Sequence, residues 1–134
     1  MPLLGLGVFQ VTDPAVCRDS VLTALETGYR LIDTAACYGN QQVVGAAAAQ
    51  SGISRDELFF SSKVWVQDAG YEATLRSFEK TLHNLQTDYL DLYLVHMPLG
   101  DYHGSWRAME ELHRSGAVRA PSGCAISCPT DWRT

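Results

Sequence analysis

An α/β fold built on a parallel sheet is what the sequence predicts, and two observations predict it. Short apolar runs of strand length alternate four times with longer stretches whose apolar residues recur at helical spacing. Each strand and helix together take about 30 residues, the size of one βα unit with its loops. A strand that is always followed by a helix must return to the sheet by a crossover, and crossovers join parallel strands.

The elements follow in order. Leu3 to Phe9 is short, apolar and broken by Gly5 and Gly7, a strand running into a loop. Asp13 caps the first helix with Pro14 at its first position; Cys17, Val21, Ala24 and Leu25 mark its buried face and Gly28 stops it. Leu31 to Ala35 is the second strand, followed by a helix from Asn40 to Gln50 that ends at Gly52. Leu58 to Val64 and Tyr89 to Val95 are buried strands, with helices at 71–85 and 105–115 after them. Residues 116–120 approach a fifth strand that the chain then abandons at Pro121.

No linker divides these units. Eight of them close a (β/α)8 barrel of about 250 residues, so 134 residues with about four βα units make half of one. A small doubly wound sheet, nearly complete at this length, is the alternative.

With 46% hydrophobic and 19% charged residues, the composition excludes a disordered or low-complexity chain. Ten Lys and Arg against fifteen Asp and Glu, with no basic stripe, make nucleic acid an unexpected partner. The apolar runs fall well short of the roughly 20 residues of a membrane span, and Met1 to Gly5 lacks the basic start of a secretory signal. A cytoplasmic protein is expected, with its four cysteines as free thiols. No metal is expected; zinc held by Cys124, Cys128 and two histidines is the weaker alternative, because paired C-x2-C knuckles are absent.

Gly5-Leu6-Gly7-Val8-Phe9-Gln10 invites comparison with the dinucleotide fingerprint G-x-G-x-x-G, but Gln holds the last position and no helix opens there. Glycines that let the backbone approach a neighbour or ligand closely are the plainer reading. Polar residues that interrupt buried strands say more. Asp33 lies inside or at the end of the second strand, Lys63 lies near the end of the third, His96 follows the fourth, and Tyr38 comes a few residues after the second. Each has an ordinary duty open to it: loop hydrogen bonds for Asp33 and His96, a solvated charge for Lys63, packing over a turn for Tyr38. Those duties leave unexplained why all four fall at the carboxyl edge of a parallel sheet, where ligands bind.

Together they suit proton transfer to a carbonyl oxygen. A free phenol is a sluggish acid at neutral pH, and a lysine cation beside it favours the phenolate it leaves behind. Asp33 holds that lysine charged and in place, and His96 donates a hydrogen bond to the oxygen. No side chain delivers hydride, so a nicotinamide or similar cofactor is implied.

Three stretches in this order, Gly28-Tyr29-Arg30-Leu31-Ile32-Asp33-Thr34-Ala35-Ala36-Cys37-Tyr38-Gly39-Asn40 with Gly45 after it, Ser61-Ser62-Lys63-Val64-Trp65, and Leu90-Asp91-Leu92-Tyr93-Leu94-Val95-His96-Met97-Pro98, resemble the aldo-keto reductase family. The resemblance runs from about Leu3 to Ala120. It implies a (β/α)8 barrel that uses NADPH to reduce small aldehydes and ketones to alcohols. Asp33, Tyr38, Lys63 and His96 match the catalytic tetrad, with Tyr38 the general acid. Gly7 and Val8, with Asp33, match the cofactor loop and nicotinamide site; Phe9 and Trp65, with His96, match the substrate pocket. Gly100-Asp101-Tyr102 and Gly104-Ser105-Trp106-Arg107 look most like small bacterial members, among them diketogluconate reductases.

Val8 stands where many members carry Thr, and Gln41 where Glu is usual. The part of the family barrel not represented in this sequence supplies most groups that grip the adenosine phosphate and the nicotinamide amide. Residues 121–134 read as an aberrant tail: from the third base of the Pro121 codon, codons consistent with these residues permit I-G-V-C-N-F-L-P-D-R-L-A-D, which resembles the family's fifth strand and its nicotinamide-binding asparagine. A frameshift is therefore expected, and sequencing the locus tests it: codons unable to spell that string reject it. A half barrel leaves its first and fourth strands as open edges, so self-association is expected, and an inactive remnant that only self-associates is the alternative to a reductase.

Overall fold

The computed structural model describes residues 1–120 and 123–124. Five strands, β1 (Gly5–Gly7), β2 (Leu31–Asp33), β3 (Phe59–Val64), β4 (Leu92–Val95) and β5 (Gly123–Cys124), form one parallel sheet in the order of the chain. Four helices, α1 (Pro14–Glu26), α2 (Gln41–Gln50), α3 (Tyr71–Leu85) and α4 (Tyr102–Arg114), make the crossovers. Strands added in sequence order by right-handed crossovers carry all their helices on one face, and α1 packs on α2, α2 on α3, and α3 on α4. Among the described residues the strand order never reverses and shows no switch point of a doubly wound sheet, and the arrangement is part of a barrel wall.

The pleat divides the strand residues between two environments. Ile32, Phe60, Val64, Tyr93 and Val95 are buried with Val21, Leu25, Val44, Phe78 and Met109 in the core beneath the helices. Leu31, Asp33, Leu92 and Leu94 alternate with them and are half-buried on the opposite, concave face. Register places Gly7 beside Asp33, Asp33 beside Ser61, and Lys63 beside Leu94, so the polar residues of that face share one end of the sheet.

Helix α1 follows its sequence signals closely: the Asp13 carboxylate accepts from the backbone N–H groups of Ala15 and Val16 at 2.8 and 3.0 Å, and Cys17, Val21, Ala24 and Leu25 are its buried residues. Helix α2 owes its seat to a glycine. A Cβ on Gly45 would stand 2.6 Å from the backbone oxygen of Asn84 and 2.8 Å from Cα of Leu85, and neither atom can rotate away. Gly45→Ala is expected to destabilise the chain by about 1–3 kcal/mol through this overlap. A lowered urea midpoint at constant m-value is the expected readout, and an unchanged midpoint would mean that α2 and α3 pack less closely than described.

Two expectations are corrected. The fifth strand is present: Leu90 bridges Val118, and two residues beyond Pro121-Ser122 pair with β4 as Leu94 to Gly123 and Val95 to Cys124. The free backbone groups of β4 capture a segment that lacks an apolar run of its own, so among the described residues the sheet ends at β1 and β5 rather than at β1 and β4. Helix α4 begins at Tyr102 and not at Ser105, because the Asp101 carboxylate accepts from the backbone N–H of Gly104 at 2.8 Å and caps it. Cys128, with the zinc alternative that depends on it, lies outside the described residues, as does the tail apart from Gly123 and Cys124. Among the described residues no helix is long and apolar enough to cross a membrane.

Candidate active site

Four strand ends meet at one rim. Gly7 closes β1, Asp33 closes β2, Lys63 is the second-last residue of β3, and His96 follows β4 directly, its N–H bonded to the carbonyl of Val64 at 3.1 Å. After β2 the chain makes a short 3-10 turn, Ala36–Tyr38, that ends in left-handed Gly39 (φ 71°) and carries the phenol back over the rim.

The Lys63 ammonium lies 2.7 Å from Oδ2 of Asp33 and donates to the backbone oxygen of Thr34 at 2.9 Å. Oδ1 of Asp33 accepts from the Ser61 hydroxyl. The lysine side chain is 9% exposed and the aspartate 35%, so the cation is the more deeply set of the pair and is held by two oxygens. It sits 5.2 Å from the centre of the Tyr38 ring. Tyr38 in turn meets His96 edge-on at 5.8 Å and Phe9 at 5.1 Å between ring centres, and Trp65 meets His96 at 5.0 Å. Partial burial, reinforced by the Lys63 cation and opposed by Asp33, holds the His96 imidazole below its ordinary range, so it is neutral at pH 7.

Asp33, Tyr38, Lys63 and His96 thus converge, with Phe9 and Trp65 flanking them. Gly7 lies at the same rim, and no heavy atom stands within 4 Å of where a Cβ on it would be, so its backbone borders open space. Val8 is placed differently. It continues the extended chain one residue past β1, its N–H donating to the backbone carbonyl of Asp33 at 3.1 Å, and the pleat turns its side chain into the core, fully buried. Its carbonyl is also occupied, accepting from the Asn40 amide at 2.9 Å.

Asn40 is a site residue that sequence reasoning left without a role. Buried to 5% exposure, it donates to the carbonyls of Val8 and Val11 while its own oxygen accepts from Thr34, tying the loop after β1 to the loop after β2. Gln41, where the family usually has Glu, is also buried, and its amide donates to the Ser62 hydroxyl at 3.0 Å. Ser61 and the Thr34 carbonyl, which complete the cradle of the ion pair, lay within the quoted motifs but carried no signal of their own.

Residues 3–127 match the sequence profile of the Aldo/keto reductase family. The glyoxal reductase of Bacillus subtilis (strain 168) is 53% identical over 121 residues, covering 90% of this chain and 44% of that protein. A crystal structure of an aldo/keto reductase from Brucella melitensis superposes with a TM-score of 0.91 at 41% identity, over 98% of this chain and 52% of that one. The aldo-keto reductase of Bombyx mori, solved in complex with NADP, superposes at 0.86 with 30% identity, over 92% of this chain and 46% of that one. The chain spans about half the length of the curated relatives it matches. With the profile, the sequence identity and the superposed fold in agreement, this chain belongs to the aldo/keto reductase family.

Proposed function

We propose that this chain carries the proton-transfer machinery of an NADPH-dependent oxidoreductase that reduces small aldehydes or ketones to alcohols, with Tyr38 as the general acid. The observation that supports the reading most is the Asp33–Lys63 ion pair set beneath the Tyr38 ring with His96 at its edge. His96 donates a hydrogen bond to the substrate oxygen and orients it. Tyr38 gives that oxygen a proton, and Lys63, held in place by Asp33 and by the Thr34 carbonyl, stabilises the phenolate that results. Phe9 and Trp65 wall the substrate and exclude water from it.

The residues present fit a nicotinamide ring at one point: the open space beside Gly7, next to Asp33, admits a flat group that any side chain at position 7 would obstruct. Gly7 and Asp33 would hold it there. A bound NADPH supplies the hydride that reduces the carbonyl carbon. That the Bombyx mori relative was solved with NADP, and that the Bacillus subtilis relative is named a glyoxal reductase, favours this cofactor and a small carbonyl substrate. Free Cys17 and Cys37 suit the reducing cytoplasm in which we place the protein.

The open β1 edge and the half-buried leucines of the concave face support a second reading, in which the chain associates with itself or with a related chain and performs no chemistry. Titration of the purified chain with NADPH, followed through tryptophan fluorescence, separates the two. Saturable quenching is the expected result. A chain that forms stable oligomers by light scattering but shows no NADPH-dependent change rejects the oxidoreductase reading in favour of association.

A further inference from the structure

The two ring nitrogens of His96 have different work to do. If one N–H is to meet a substrate oxygen, the other nitrogen must be without its hydrogen, and a neighbour on that side decides which nitrogen this is. The same 3-10 turn that delivers Tyr38 delivers Cys37 one residue earlier, and its Sγ lies 3.5 Å from Nδ1 of His96, within hydrogen-bonding reach for sulfur. Cys37 is an exposed residue, yet the desolvation its neighbours impose pushes the thiol up from its ordinary range, against smaller opposing effects of its own backbone and Lys63, so it keeps its proton at neutral pH. The imidazole beside it is neutral for the reasons given above. A protonated thiol and a neutral imidazole can pair either way, as S–H to the Nδ1 lone pair or as Nδ1–H to sulfur; thiol sulfur is a weak acceptor and a bare imidazole nitrogen a good one, which favours the first. The ring is held on two further sides by the edges of Tyr38 and Trp65, and among the described residues no protein group bonds Nε2.

We propose that Cys37 is a positioning residue whose thiol donates to Nδ1 of His96, fixing the ring as the Nε2–H tautomer and leaving that N–H as the donor to a carbonyl oxygen. The substrate part of this inference rests on the oxidoreductase reading; the tautomer part does not. Cys37 acts through His96 and takes no proton from the substrate.

The experiment uses the full chain labelled with 15N-histidine, with His96 assigned by a His96→Gln control and its tautomer read from long-range proton–nitrogen correlations at a pH where the ring is neutral. The expected result is a single Nε2–H form in the unsubstituted chain, a mixture of both tautomers in Cys37→Ala, and return to the single form in Cys37→Ser, whose hydroxyl also donates. An Nδ1–H form in the unsubstituted chain, or the same spectrum with Cys and Ala at position 37, overturns the proposal. In parallel, the rate of NADPH-dependent carbonyl reduction is expected to fall in Cys37→Ala, through kcat, and to recover in Cys37→Ser. A single Nε2–H tautomer without any turnover overturns the oxidoreductase reading and leaves the role of Cys37 standing; turnover with a tautomer indifferent to position 37 does the reverse.

Discussion

Tyr38→Phe is expected to lower NADPH-dependent carbonyl reduction by about 10²- to 10⁴-fold, the usual contribution of a positioned general acid. The substitution removes one oxygen and little else. The phenyl ring retains its contacts with Phe9 and His96, and the Asp33–Lys63 pair does not depend on the hydroxyl for a hydrogen bond, so fold and cofactor affinity are expected to persist. Single-turnover rates with a small dicarbonyl, compared with NADPH titrations of both proteins, provide the check. A variant that reduces the substrate at the unsubstituted rate would show that water or His96 supplies the proton, and Tyr38 would then be a wall of the pocket.

The placement of Tyr38, Asp33, Lys63 and His96 was legible because strands of a parallel sheet bury both faces and polar residues near their ends stand out against the apolar run. Helix α1 was legible because Asp13-Pro14 and Gly28 are local signals that act over a few residues. What escaped depends on partners distant in sequence. Cys37 and His96 are 59 residues apart, and nothing in the spacing of either announces their contact. The amide of Asn40 reaches back 32 residues to Val8, a bridge between loops that no periodicity records. Strand β5 forms because β4 offers unpaired backbone groups, a tertiary cause that overrides its weak local preference. Val8, which the family resemblance matches to the cofactor loop together with Gly7, has its side chain in the core, because the pleat sends successive residues to opposite faces.

Asp33→Leu is expected to cost stability as well as activity. The Lys63 cation, 9% exposed, would keep the Thr34 carbonyl but lose its counter-charge, and removing one member of a buried pair costs about 3–5 kcal/mol. The lower end applies here, because a third of the Asp33 side chain faces solvent and water can reach part of the gap. Lys63→Met alone strands a carboxylate that solvent and the Ser61 hydroxyl still serve, so its cost is expected to be smaller. The double variant Asp33→Leu with Lys63→Met leaves no buried charge behind. It is expected to be more stable than Asp33→Leu alone, a non-additivity that urea denaturation of the four proteins measures directly. Since a well-packed apolar pair can equal or exceed a buried ion pair in stability, a double variant that folds well yet lacks reductase activity would show that the pair is kept for the chemistry at Tyr38 and not for the fold. Additive losses would mean that Asp33 and Lys63 are each solvated separately, and that the lysine charge beneath the Tyr38 ring is not held there by Asp33.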